Sequence, residues 1–215
     1  MKTKLLKKLT SIIICLSLLA MIIPLGAITV SAYYPYYGSG YYTYTLSDGE
    51  ATITGFDKSI VGDITIPSTL GDYPVTRIDG NTMDGVFENC FGLTGITIPD
   101  SIISIGDFAF AGCTGLTSIT IPDSVTSIGW ATFCNCTGLT SVTIPDSVIS
   151  IGWSAFNGCT GLTSIVIPNS VTSIGNQAFA SCSSLTNINI PDSITSIDCR
   201  ATCFDWCWNL SYDKF

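Results

Sequence analysis

The sequence contains no histidine and few charged residues of either sign, with 8 basic and 16 acidic side chains among 215 residues. Histidine is the usual general base beside a serine or cysteine nucleophile, so its absence argues against a catalytic triad of that kind. A zinc site is also disfavoured, because Cys134 and Cys136 are separated by one residue only and Cys199, Cys203 and Cys207 have no partner cluster. We therefore expect no enzyme, no cofactor and no bound metal.

What the sequence has instead is a repeat of 23 residues. Prolines recur at this interval, and columns of isoleucine, phenylalanine, cysteine and leucine keep the same step. The prolines are Pro99, Pro122, Pro145, Pro168 and Pro191, the phenylalanines are Phe110, Phe133, Phe156 and Phe179, and the cysteines are Cys90, Cys113, Cys136, Cys159 and Cys182. A fixed period of this size indicates one unit stacked on copies of itself, because a single unit cannot bury its own apolar face.

Within one unit, the segment from Leu116 to Ile121 alternates apolar and small polar residues and therefore predicts a strand that ends at Pro122. The following Pro-Asp-Ser is typical of a turn, since proline fixes its backbone angle and the aspartate side chain can bond nearby amides. The stretch from Trp130 to Asn135 is brief and predicts one turn of α or 3₁₀ helix. Stacked strands would form a parallel sheet with about 4.8 Å between repeats.

The repeated phrase, CxxLxxIxIPxSVxxIGxxAFxx in one-letter code, resembles the leucine-rich repeat of the BspA-like family of bacterial surface proteins. The match spans about Ile64 to Leu210. The resemblance implies a right-handed leucine-rich-repeat solenoid, α/β but mostly β, with short strands in a parallel sheet and short helical turns. Members of the family are typically secreted or surface-attached, and some are implicated in adhesion to host proteins or to other cells. The family has no catalytic residues to carry over.

The N-terminus indicates export. Four lysines precede an apolar run from about Leu9 to Val30, and Val30-Ser31-Ala32 offers the small residues that a signal peptidase prefers. We predict a signal peptide over residues 1–32, a tyrosine-rich segment with an N-terminal cap over 33–63, and six repeats over 64–215, of which the first is expanded and the last partial. An uncleaved membrane anchor is the alternative, because the run is long enough to span a bilayer. The tyrosine-rich segment itself either covers the end of the solenoid or forms an aromatic binding arm.

Removal of residues 1–32 would leave 4 basic residues and 16 acidic ones, so the mature net charge would be 4 minus 16, or −12. Such a surface repels nucleic acid and anionic membranes and favours basic partners. We expect a secreted or cell-surface protein that contacts neither nucleic acid nor, after signal removal, a membrane.

Ten cysteines in a secreted chain would ordinarily indicate a disulfide framework, but five of them recur at one core-facing position. A buried thiol behaves there as a small apolar side chain, and parallel side chains rarely offer the dihedral angle that a disulfide needs. We predict reduced, buried thiols. The aspartates Asp100, Asp123, Asp146 and Asp192 also recur at one position, between proline and serine, and are explained by turn formation.

The position after each repeat glycine supplies the candidate binding residues, which are Asp107, Trp130, Trp153 and Asn176. Two tryptophans in adjacent repeats should lie about 5 Å apart on the turn side of the rod. Tryptophan is enriched at binding hot spots and is unfavourable to expose without a use. The alternative is that the pair only shields the ends of the short turns.

Three hypotheses about function remain open. The first is a recognition module that holds a protein or glycoprotein on another cell or matrix through the tryptophans. The second is a structural envelope component that self-associates end to end, where Trp206, Trp208 and Phe215 close an unfinished repeat. The third is a hydrolase that uses the Asp-rich turns.

Overall fold

The computed structural model describes residues 28–32, 42–80, 84–197 and 205, and of residues 28–32 and 197 the backbone alone. Within these residues the chain consists of short strands joined by turns, and no segment forms a helix. The predicted solenoid with a parallel sheet is confirmed, whereas the predicted helical turns are not observed.

The N-terminal part forms a mixed sheet in front of the regular repeats. Its strands are β1 (Ile28–Ala32), β2 (Tyr42–Ser47), β3 (Glu50–Phe56), β5 (Thr69–Leu70) and β6 (Tyr73–Ile78). Between them, β4 (Gly62–Thr65) belongs to a separate sheet, in which it pairs with the first of the longer repeat strands. The order in the sheet is β1-β2-β3-β6-β5, with β1, β2 and β3 antiparallel and β3 parallel to β6. Asp48 and Gly49 join β2 to β3 with φ of 54° and 82°, as a two-residue hairpin turn of type I′ requires.

This hairpin covers the N-terminal end of the core, where the sequence places a cap. Phe56 lies with its ring centroid 4.9 Å from that of Phe87, and Tyr42 lies 5.3 Å from Phe56. The predicted cleavage site after Ala32 coincides with the end of β1, so cleavage there would remove β1 from the sheet. Residues 1–27 and the tyrosines between Tyr33 and Tyr41 lie outside the described residues.

Each regular repeat contributes two strands. The longer strands are β7 (Leu93–Thr97), β9 (Ser118–Thr120), β11 (Ser141–Thr143), β13 (Ser164–Val166) and β15 (Asn187–Asn189), and the shorter ones are β8 (Ser104–Ile105), β10 (Ser127–Ile128), β12 (Ser150–Ile151), β14 (Ser173–Ile174) and β16 (Ser196–Ile197). Ser141 pairs with Ser118 and Ser150 pairs with Ser127, so both ladders are parallel and in register with the sequence repeat. The shorter strands, which lie at the end of the Val-Thr-Ser-Ile segment, were not predicted from the sequence.

The two ladders differ in continuity. The shorter strands β10, β12, β14 and β16 form one sheet, and β8 pairs with β6 in the N-terminal sheet. Among the longer strands of the described repeats, β4 pairs with β7, β9 with β11, and β13 with β15, but no ladder joins β7 to β9 or β11 to β13. The longer-strand face is therefore divided at two places.

The segment predicted as a helical turn adopts a different conformation, which corrects the prediction. Ala131 and Asn135 have φ of 50° and 58°, and left-handed residues interrupt a right-handed helix. The amides of Ala131, Phe133 and Asn135 donate to carbonyls of the next repeat at 2.7–2.8 Å, while the amide of Cys134 donates to Ala131 within the turn. Alternate amides thus point along the rod and connect the repeats, and a helix would have kept these bonds inside one repeat.

The core between the two ladders is a set of stacked columns. Phe87, Phe110, Phe133, Phe156 and Phe179 are fully buried, and successive rings are nearly parallel with centroids 5.1–5.5 Å apart. The cysteine column lies beside them. Each thiol from Cys113 onward donates to the carbonyl of a phenylalanine in the preceding repeat, at 3.0–3.2 Å. All six described cysteines are free, and the five of the column are completely buried, as predicted.

Candidate recognition surface

Five residues occupy one position on the turn side of successive repeats, and we call them the turn row. They are Asp84, Asp107, Trp130, Trp153 and Asn176. Asp84 and Asp107 lie in adjacent repeats, because the residues that follow them are in close contact: a Cβ on Gly85 would lie 1.9 Å from the carbonyl oxygen of Phe108. The turn row therefore crosses five adjacent repeats as a continuous strip.

Trp130 and Trp153 form the apolar part of the turn row. Their indole rings are parallel within 2°, with centroids 5.3 Å apart. Trp130 is 42% exposed and Trp153 is 49% exposed. Stacking each ring on its neighbour restricts its rotamers before any ligand arrives, and about half of each ring still faces solvent. The pair is a preorganised apolar contact site.

Backbone contacts hold the tryptophans at this spacing. The amide of Ala131 donates to the carbonyl of Trp153 at 2.8 Å, and the amide of Ser154 donates to the carbonyl of Asn176 at 2.9 Å. The glycine before Trp153 permits the close approach, because a Cβ on Gly152 would meet the carbonyl carbon of Gly129 at 2.7 Å. The repeat glycine is therefore required for the spacing that stacks the two indoles.

Asp107 joins the tryptophan pair to the acidic end of the turn row. Its Oδ1 accepts a hydrogen bond from the backbone amide of Trp130 at 2.7 Å. Phe108 packs edge-on against Trp130, with ring centroids 4.6 Å apart. Phe108 was missed from the sequence, because the equivalent positions are Ala131, Ser154 and Gln177 and show no aromatic period.

The structure thus brings three of the four predicted residues into direct succession, with Asn176 in the next repeat. Their role in binding stays a prediction. The alternative, that the tryptophans only shield the ends of the turns, accounts for their stacking but not for the exposed half of each ring.

A second surface lies on the divided longer-strand face. A groove of about 510 Å³ follows the boundary between β11 and β13, with Ser141, Thr143, Asp146 and Asn189 among its lining residues. Val166 also lines it and is 70% exposed. The groove is lined by aliphatic and small polar side chains, with no aromatic ring and one acidic group, so it offers fewer directional contacts than the turn row.

The recurrent aspartates at the proline turns lie on another edge of the rod and are exposed. From Ser124 onward, the serine after the turn aspartate or asparagine bonds to the preceding repeat: Ser147 Oγ donates to the carbonyl of Val125 at 2.7 Å, and Ser170 Oγ donates to that of Val148 at 2.8 Å. The turn itself is closed by a backbone hydrogen bond, since the amide of Val125 donates to the carbonyl of Pro122 at 3.0 Å and the amide of Val148 donates to that of Pro145 at 3.1 Å.

The cysteine column is chemically inert. Burial raises the pKa of Cys90 to about 11 and that of Cys136 to about 12, and it raises the pKa of Cys159 well above the ordinary value of 9.0. A thiol that stays protonated is a poor nucleophile and a poor metal ligand.

Within the described residues, no group of three or more Cys, Asp or Glu side chains is placed to hold a metal ion. The same part of the chain has no helix long and apolar enough to cross a bilayer.

Comparison with known proteins gives a family match over the repeats. The model of the BspA type leucine rich repeat region matches residues 81–211 in six copies. No curated protein matches the sequence. The fold is similar to that of a leucine-rich repeat protein from Bacteroides ovatus, with 34% identity, a TM-score of 0.68 and coverage of 82% of this chain and 46% of that one.

Two further crystal structures are similar. The T. pallidum leucine-rich repeat protein TpLRR is 26% identical with a TM-score of 0.67, over 79% of this chain and 88% of that one. A leucine-rich repeat protein from Eubacterium ventriosum is 23% identical with a TM-score of 0.65, over 87% of this chain and 51% of that one. The chain thus spans about half the length of the Bacteroides and Eubacterium proteins.

Proposed function

The chain belongs to the BspA type leucine-rich repeat family, and on this premise we propose that it is a secreted or cell-surface recognition protein. Its partner is a protein or glycoprotein on another cell or in a surrounding matrix. Proteins of this family are typically not enzymes. The buried thiols are poor nucleophiles, which agrees with a binding role. Export is supported by the lysine-rich start, the apolar run and the small residues that end at Ala32.

The observation that carries the proposal is the half-exposed tryptophan pair. Large aromatic side chains supply most of the binding energy at protein interfaces, where they fill a desolvated centre. Trp130 and Trp153 are held parallel by the backbone of the repeats, so little side-chain entropy is lost when a partner covers them.

The test is binding of the purified chain to an array of extracellular matrix proteins, mucins and bacterial surface extracts. We expect selective, saturable binding that the double variant Trp130→Ala/Trp153→Ala weakens by about a hundredfold, as loss of two hot-spot residues would. The matched control is Ile149→Ala/Val166→Ala, which removes two exposed apolar side chains outside the turn row and should bind like the parent chain.

Circular dichroism and urea unfolding establish that both variants are folded. Equal binding by the parent chain and the tryptophan variant would contradict the proposal. Export is tested separately: the full sequence is expressed in a bacterial host, and mass spectrometry of the exported product should show a first residue at Tyr33.

A further inference from the structure

The repeats between Arg77 and Arg200 carry negative charge without any positive charge of their own to balance it. Between Arg77 and Arg200 the sequence contains no lysine, arginine or histidine. Asp84 and Asp107, at one end of the turn row, are both exposed. No side chain of the repeats between those two arginines can neutralise them, so this end of the turn row attracts cations and repels anions.

The other end of the turn row offers an aromatic face. Trp130 covers one face of Trp153, and about half of the Trp153 side chain still faces solvent. Tryptophan is the best aromatic acceptor for a cation, and the planar guanidinium of arginine stacks on it more readily than the ammonium of lysine.

From these two observations we propose that the turn row binds an extended cationic peptide segment. One lysine or arginine of the segment lies against the carboxylates of Asp84 and Asp107, and an arginine guanidinium packs against the exposed part of the Trp153 indole. The inference rests on the proposed function, because it names the class of partner for the same residues.

The spacing of the turn row sets the spacing of the cations. With one repeat every 4.8 Å or so, the carboxylate of Asp107 and the indole of Trp153 are separated by two repeats, or about 10 Å. An extended peptide rises about 3.3 Å per residue, so this distance corresponds to basic residues about three positions apart. The structure thus favours a motif in which two residues separate the cations.

The experiment titrates the purified full chain into fluorescein-labelled peptides and follows the anisotropy. The probes are glycine-serine peptides that carry two arginines separated by two or by three serines. The comparison peptides have adjacent arginines, or citrulline in place of each arginine, which keeps the shape of the side chain and removes its charge. We expect saturable binding of the spaced peptides, with citrulline binding at least about tenfold weaker.

Two double variants that remove the same amount of negative charge distinguish binding at the turn row from non-specific attraction to the acidic surface. Asp84→Asn/Asp107→Asn should weaken binding about three- to tenfold, since two exposed charge pairs are lost. Asparagine keeps an oxygen that can accept from the amide of Trp130. The control, Asp123→Asn/Asp146→Asn, removes two carboxylates at the proline turns and should change the affinity less than about twofold. Trp153→Ala should abolish the preference for spaced arginines.

Each outcome decides the question. Equal weakening by the two aspartate pairs, or equal affinity for the citrulline peptide, overturns the inference. If array binding depends on Trp130 and Trp153 but not on Asp84, Asp107 or salt, the partner is neutral, as a glycan would be, and the proposed function survives without the cationic segment. If neither tryptophan matters in either assay, both proposals fail.

Discussion

At the scale of single residues, the same serine contributes differently to stability in different repeats. The serine two residues after the repeat proline donates to the carbonyl 22 residues earlier in four repeats, through Ser124, Ser147, Ser170 and Ser193. The equivalent Ser101 has a buried hydroxyl without a partner in the described part of the chain. The expanded first repeat places no acceptor there.

This difference predicts opposite results for the same substitution. Ser147→Ala should lower the free energy of unfolding by about 1 kcal/mol, because it deletes a hydrogen bond and leaves the Val125 carbonyl without its donor. Ser101→Ala should leave stability unchanged or raise it slightly, because it removes a buried polar group that has no partner. Urea unfolding of the two variants beside the parent chain measures both changes. Equal losses would show that Ser101 has a partner in solution.

At the scale of elements, the stacked phenylalanines connect neighbouring repeats. Phe133 lies between Phe110 and Phe156, with ring centroids 5.5 and 5.2 Å away. A repeat protein is stabilised mainly by contacts between adjacent units, so a cavity at this position weakens two interfaces at once.

Phe133→Ala should therefore lower the free energy of unfolding by about 3–5 kcal/mol. The control is Phe91→Ala, which truncates a phenylalanine that is 61% exposed and should lower it by less than about 0.5 kcal/mol. Chemical denaturation monitored by circular dichroism gives both values. A loss below about 1 kcal/mol for Phe133→Ala would place the residue outside the core, contrary to the structure.

The columns of the core could be predicted because burial repeats with the sequence: Phe133 and Cys136 recur every 23 residues and are completely buried. The conformation of the turn could not. Left-handed φ occurs at Phe108, Ala131 and Ser154, none of which is a residue that favours it. The amide of each donates to a carbonyl of the next repeat, and these hydrogen bonds impose the conformation. The candidate site divides in the same way, since repeat spacing placed Trp130 beside Trp153 and only the folded chain showed Phe108 against Trp130.

At the scale of the whole molecule, stability should depend on pH through the thiols rather than through histidines, of which the sequence has none. Burial raises the pKa of the column cysteines above 9.0, their ordinary value, to about 11 for Cys90 and about 12 for Cys136. A raised folded pKa means that the stabilisation is complete below the unfolded pKa of 9.0 and is lost as the pH rises from there toward the folded value.

We therefore expect a nearly constant free energy of unfolding between about pH 6 and pH 8, and a fall above about pH 9. One buried thiol contributes roughly 1.4 kcal/mol of that fall per pH unit once the unfolded thiol has titrated. Cys136→Ala removes one such group, so the difference in stability between the parent chain and this variant should shrink by about 1.4 kcal/mol between pH 8 and pH 10. Urea unfolding in the presence of a reductant measures the difference at each pH. Parallel pH profiles for the two chains would mean that Cys136 titrates alike in the folded and unfolded states, which its place among the stacked phenylalanines and its bond to the Phe110 carbonyl oppose.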